Sequence, residues 1–167
     1  RRGKLRTQKT VNSSRQGHVI QANGLNIYYE EYGSGEPLVL IHGGTVTSAM
    51  WQLQIPFFAQ HFRVITPDSR GHGKTNNLTG EFSVHSMAED VVAFIQALGL
   101  TRPLIYGYSD GGQTALEIGM CYPGLAAALV LGATWFRFSE TYTHALRELG
   151  LEGPGRVNME QVQSVIP

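Results

Sequence analysis

Gly107-Tyr108-Ser109-Asp110-Gly111-Gly112 lies between a short apolar run, Pro103-Leu-Ile-Tyr106, and a helical pattern from Asp110 to Tyr122 that Pro123 ends. A serine in a G-x-S-x-G frame at a strand-to-helix junction has the context of a nucleophile elbow, a sharp strained turn that projects a hydroxyl from the C-terminal edge of a sheet. Gly107 and Gly111 fit that geometry because a Cβ would collide where strand and helix cross. Ser109 is the candidate nucleophile. The helix behind it offers unpaired N–H groups and a positive dipole end, which makes the Asp110 amide a candidate oxyanion donor.

Further strands surround this junction. Ala127 to Leu131 reads as a strand after the helix. Pro37 to Ile41 and Phe62 to Thr66 are continuous apolar runs of the kind buried on both faces of a sheet. Between them Ala49 to His61 has a helical pattern, and strand, crossover and strand in succession imply parallel pairing. Met87, Val91, Phe94, Ile95 and Leu98 mark the clearest helix; Ser83 or Ser86 can cap it, Ser86 with Glu89 matches a capping box, and Gly99 stops it. At the start, HVIQA and LNIYYEEY flank Asn23-Gly24, a hairpin signal. The fold class is α/β: a mostly parallel sheet of about six strands with an antiparallel N-terminal hairpin and flanking helices.

The loop after Pro37 to Ile41, His42-Gly43-Gly44-Thr45, is the expected source of the second oxyanion donor, at Gly44 with Thr45 as the alternative. Asp68, Arg70 and His72 are read as structural: Asp at a strand end bonds turn amides, and Arg70 is expected to pair with Asp68. Thr45, Tyr108 and Trp135 are candidate substrate contacts, with Phe136 and Phe138 as further candidates for an acyl pocket; Tyr108, Met50-Trp51 and the 135–138 aromatics fit a packed core equally well. Asp110 stabilises the helix dipole or touches substrate, and is not the catalytic acid.

These motifs, HGGT, then Asp68-Ser69-Arg70-Gly71-His72-Gly73-Lys74-Thr75, then GYSDGG, together resemble the α/β-hydrolase superfamily over about Val19 to Trp135. Within it they are most similar to small esterases, lactonases and enzymes of the valacyclovir-hydrolase kind, whose elbow also reads SDGG. The resemblance implies an eight-stranded sheet, an acyl-enzyme mechanism on a small ester, lactone or related acyl substrate, and a triad whose acid and histidine follow the serine. No such pair is recognisable here. Glu140 and His144 have the right order but lie in a lid-like stretch without a strand to aim them. A missing C-terminal segment or a second chain is therefore expected to complete the sheet, since a strand ending near Leu131 leaves an open edge. The alternative is a non-catalytic or inactive truncated relative.

Composition agrees with a folded body: hydrophobic residues make up 42% and charged residues 16%. The organisation expected is a basic disordered arm at 1–17, a core at 18–134, and the start of a lid at 135–167. Six of the 13 basic residues precede His18 and no acid does, so from His18 onward seven bases face 13 acids. That head reads as a short disordered arm or cloning remnant, and no nucleic-acid partner is expected. Cys121, the single cysteine, falls on an apolar helical pattern and is read as a packing residue of a reduced compartment. Without a long apolar run, a metal-type cysteine cluster or a phosphate loop, the expectation is a cytoplasmic protein with no membrane contact, no metal and no cofactor.

Overall fold

The structure is a computed structural model, and it describes residues 16–135. Residues 1–15 of the arm expected at 1–17, and Phe136, Phe138, Glu140 and His144, lie outside the described residues, whereas Gln16 and Gly17 of that arm belong to the first strand. Six strands form one sheet: β1 (Gln16–Ala22), β2 (Leu25–Gly33), β3 (Glu36–Ile41), β4 (Phe62–Pro67), β5 (Leu104–Tyr108) and β6 (Ala128–Gly132), in the order β1-β2-β4-β3-β5-β6. β1, β2 and β4 pair antiparallel; β3 pairs parallel with both β4 and β5, and β5 with β6. Asn23 and Gly24, both at positive φ, close the hairpin between β1 and β2.

β3 explains why its sequence is apolar throughout. Val39 and Ile41 join the larger core with Ile27, Ile65, Phe94, Ile105 and Ile118, whereas Leu38 and Leu40 pack on the other face with Trp51, Ile55 and Val64. The first face is covered by α2 (Val84–Ala97) and α3 (Asp110–Cys121), the second by a 3₁₀ turn (Ser48–Leu53) and the short α1 (Ile55–Phe58). From β3 the chain runs to β4 on one side and then crosses back through α2 to β5 on the other, so the ends of β3 and β5 make the switch point where open α/β sheets bind ligands.

Several local expectations change. The helical stretch over 49–61 is a 3₁₀ turn capped by the Thr47 side chain and one turn of α-helix, because Pro56 removes an amide and suits only a helix start. The capping box of α2 is formed by Ser83 and Ser86, whose side chains each accept the other's backbone N–H, rather than by Ser86 and Glu89. Arg70 does not pair with Asp68; it makes a two-pronged ion pair with Asp90 of α2 at 2.6 and 2.8 Å. Asp68 instead accepts the amides of Ser48 and Lys74, the turn-bonding role its strand-end position implies. Cys121 is exposed at the last turn of α3, with its thiol 3.5 Å from Glu117 Oε1, and is not a packing residue. Trp51 is core, tilted against Tyr106 with ring centroids 4.9 Å apart.

β6 is the last strand of the sheet among the described residues, and Val130 and Leu131 on it are exposed. No helix among them is long and apolar enough to cross a membrane, and no group of three or more His, Cys, Asp or Glu side chains could hold a metal ion.

Candidate active site

Ser109 stands between β5 and α3 with φ 53 and ψ −115, a backbone conformation that L-residues rarely adopt and that costs about 1–3 kcal/mol. Three features over-determine it. Its amide donates to Gly132 O of β6 at 2.8 Å, its carbonyl receives the Gln113 amide at 2.9 Å as α3 begins, and the flanking glycines admit the close crossing. A Cβ on Gly107 would lie 2.8 Å from Gly112 N, and one on Gly111 2.6 Å from His42 O, both backbone atoms that cannot swing aside. The serine side chain is left half-buried at the C-terminal end of the sheet.

The loop after β3 lies against this turn. A Cβ on Gly43 would come within 3.3 Å of Ser109 Cβ, and one on Gly44 would run into the Asp110 carboxylate. Within the loop the Gly43 amide donates to Met50 Sδ at 3.4 Å and the Thr45 amide to His72 Nε2 at 3.3 Å. Gly44 lies against Asp110, the residue that follows the serine at the start of α3. Asp110 opens α3, where its charge suits the positive helix end and its carbonyl receives the Thr114 hydroxyl at 2.9 Å. Burial pushes its carboxyl above the usual range, with His72 pulling the other way.

The candidate substrate contacts are distributed around this centre. Thr45 is exposed at φ 62. Tyr108 is 41% exposed and its ring edges reach toward Gly43 and Gly132, so it is not core. Trp135 is 51% exposed, and its carbonyl accepts Gln113 Nε2 at 2.9 Å, which holds the chain beyond β6 against α3. Three of the described histidines, His42, His72 and His85, have partners of their own. His42 and His72 have both ring nitrogens engaged, and His85 bridges α2 and α3 through Glu117 at 3.0 Å. Sequence alone gave no signal for the link between His72 and Thr45, since it joins loops 27 residues apart.

The model of the alpha/beta hydrolase fold family matches residues 36–149. A non-heme chloroperoxidase of Streptomyces lividans is 35% identical over 119 residues, covering 69% of this chain and 43% of the relative. A 2-hydroxy-6-oxo-2,4-heptadienoate hydrolase of Pseudomonas putida is 33% identical over 130 residues, covering 75% and 47%. Among solved structures, Est816, described as an N-acyl homoserine lactone degrading enzyme, superimposes with TM-score 0.62 at 33% identity over 67% of this chain and 43% of its own. The chain spans less than half the length of these curated relatives. With the strand order, the turn at Ser109 and the family match in agreement, the chain belongs to the α/β-hydrolase fold family.

Proposed function

We propose that this chain carries the nucleophile half of a serine hydrolase, and that Ser109 attacks a small ester, lactone or related acyl substrate. The observation that carries the reading is the backbone of Ser109: φ 53 and ψ −115, held from three sides, at the ligand-binding edge of the sheet. Ser109 Oγ adds to the acyl carbon and gives up its proton to a base; the carbonyl oxygen takes the negative charge; its collapse expels the leaving group, which accepts a proton. Water then cleaves the acyl-serine ester by the same steps and regenerates the hydroxyl.

The amides of Gly44 and Asp110 are the donors proposed for the oxyanion. Loss of one such donor typically slows acyl transfer about 10²–10³-fold. Tyr108, next to the serine in the chain, Thr45 in the loop after β3 and Trp135 just beyond β6 carry exposed surface, which suits contact with a small, partly apolar acyl group. The lactone-degrading description of Est816 and the hydrolase name of the Pseudomonas relative favour a carbonyl substrate, because a serine oxygen adds to carbonyl carbon.

A fluorophosphonate probe tests this directly. It is expected to label Ser109 in an intact protein that also supplies the catalytic acid and histidine, with labelling abolished by Ser109→Ala. Such an intact, folded protein that stays unlabelled at Ser109 would favour a non-catalytic relative and overturn the proposal.

A further inference from the structure

Two loops at the C-terminal edge of the sheet exchange hydrogen bonds through a pair of histidines. His42, just after β3, accepts the Ser69 amide of the loop after β4 at Nε2, 2.9 Å away. His72, in that second loop, accepts the Thr45 amide of the first at its own Nε2, 3.3 Å away. The rings meet edge to face with centroids 5.1 Å apart.

The remaining nitrogens fix the protonation state. His42 Nδ1 lies 2.6 Å from Gly43 O, and His72 Nδ1 2.9 Å from Arg70 O. A carbonyl oxygen can only accept and a backbone N–H can only donate, so each ring must carry its single proton on Nδ1 and keep a lone pair on Nε2. Both rings are neutral in this arrangement.

What they hold is costly. Thr45 is β-branched and sits at φ 62, in the left-handed region that such residues avoid. A strained residue of this kind persists only where its surroundings impose it, and the bond from the Thr45 amide to His72 is one of the contacts that do. Gly44 is the next residue back, against Asp110, and Gly43 before it lies against Ser109.

We propose that His42 and His72 form a proton-operated clasp that sets the position of Gly44 and Thr45 against Ser109. With both rings neutral, each loop holds the other. Protonation of His72 at Nε2 turns its acceptor into a donor, expels the Thr45 N–H and releases the strained loop. Among the described residues, Asp68 acts on His42 and Asp110 faces His72, beside the two rings themselves. His42 is buried, and its desolvation resists a charge there, so the opening step belongs to His72 at the half-buried side. The effect on chemistry rests on the reading of Gly44 as an oxyanion donor, whereas the hydrogen-bond exchange stands apart from it.

Nitrogen-15 NMR of the full chain tests the clasp without any substrate. Both rings are expected in the Nδ1–H form at neutral pH, and on acidification the His72 ring and the Thr45 amide should shift with a common midpoint. His72→Gln supplies an oxygen acceptor that does not titrate, so the Thr45 amide should lose that shift while the Ser69 amide keeps its own response to His42. An Nε2–H form of His72, or a Thr45 amide that titrates unchanged in His72→Gln, overturns the clasp. If His72→Gln does not fold, the ring form and the shared midpoint in the unaltered protein still decide it.

Fluorophosphonate labelling then reads the link to the site. His72→Phe is expected to slow labelling of Ser109 by up to the ~10²-fold that a misplaced oxyanion donor costs, with His72→Gln restoring most of it at neutral pH. Labelling unaffected by His72→Phe in a folded protein rejects that link. Absence of labelling in the unaltered protein, with the NMR signatures intact, rejects the serine hydrolase reading and upholds the clasp.

Discussion

The α-carbon of Gly44 faces the carboxylate of Asp110 so closely that a methyl group on it would overlap Oδ2 and lie 3.2 Å from Cγ. The two residues proposed as oxyanion donors are therefore in mutual contact, one side chain occupying the space the other leaves empty. Gly44→Ala must push the loop or the carboxylate away from Ser109. Labelling of Ser109 by a fluorophosphonate is expected to slow about 10²-fold, as for loss of a donor. In the pair Gly44→Ala with Asp110→Ala the methyl group has room again, so the double variant should label faster than Gly44→Ala alone. Rates that multiply independently would show that the contact carries no coupling.

The crossing of β5 and α3 tolerates side chains still less. A Cβ at Gly111 would meet the carbonyls of Ile41 and His42, and these belong to β3 and its loop, fixed by pairing on both sides. Gly111→Ala is expected to destabilise the fold by about 3 kcal/mol, the upper end of overpacking costs, because backbone has to move. Urea unfolding of the variant beside the unaltered protein measures it. A loss under about 0.5 kcal/mol, the range of ordinary surface substitutions, would mean that helix and strand can part without cost.

The sequence made the turn at Ser109 legible because its cause is local: a strand-like run, a serine between glycines, and a helix pattern within a few residues. The same holds for the hairpin at Asn23-Gly24 and for β3, whose unbroken Leu38 to Ile41 run reports burial on both faces. What failed depends on partners far apart in the chain. Proximity in the chain pairs Arg70 with Asp68, two residues away, whereas its partner in the fold is Asp90 on α2. Cys121 falls on an apolar helical pattern, yet it comes in the final turn of α3, beyond the packed stretch that ends with Ile118. Near Ser109, His72 reads as structural, but which amides the two loop histidines accept follows from how the ends of β3 and β4 approach each other.

The Arg70–Asp90 pair has side chains only 6% exposed each, and Asp90 also accepts Asn23 Nδ2 at 2.7 Å while Arg70 donates to the carbonyls of Glu81 and Ser86. It thus ties the hairpin turn, the loop after β4 and α2 together. Asp90→Ala leaves a guanidinium buried without its counter-ion, and the expected loss is about 3–5 kcal/mol. Replacing both, as Arg70→Met with Asp90→Leu, removes the stranded charge and should cost clearly less than Asp90→Ala. Chemical denaturation of the three proteins checks the order; a double variant no better than the single one would show that the pair does more than neutralise itself.

Acid should loosen this fold in two separable stages. Burial lowers the proton affinity of His42, and its folded pKa falls below the unfolded value of about 6.5, so the unfolded chain binds the extra proton first. Stability from this group is complete above that pH and drains away as pH falls through the window beneath it. Glu31 responds at lower pH. Its two-pronged bond from Arg63, 2.8 Å on each arm, holds its pKa below the ordinary carboxylate value of about 4.3, so its contribution persists to that point and is lost only on further acidification. The pair is partly exposed, and its worth is at most about 1 kcal/mol. Melting temperature followed from pH 7 downward (on the order of 0.1 M salt) should therefore fall first between about 6.5 and 4.3. His42→Asn should flatten that first fall, and Arg63→Gln only the later one. A first fall left unchanged by His42→Asn would assign it to other groups, opening of the His72 clasp among them.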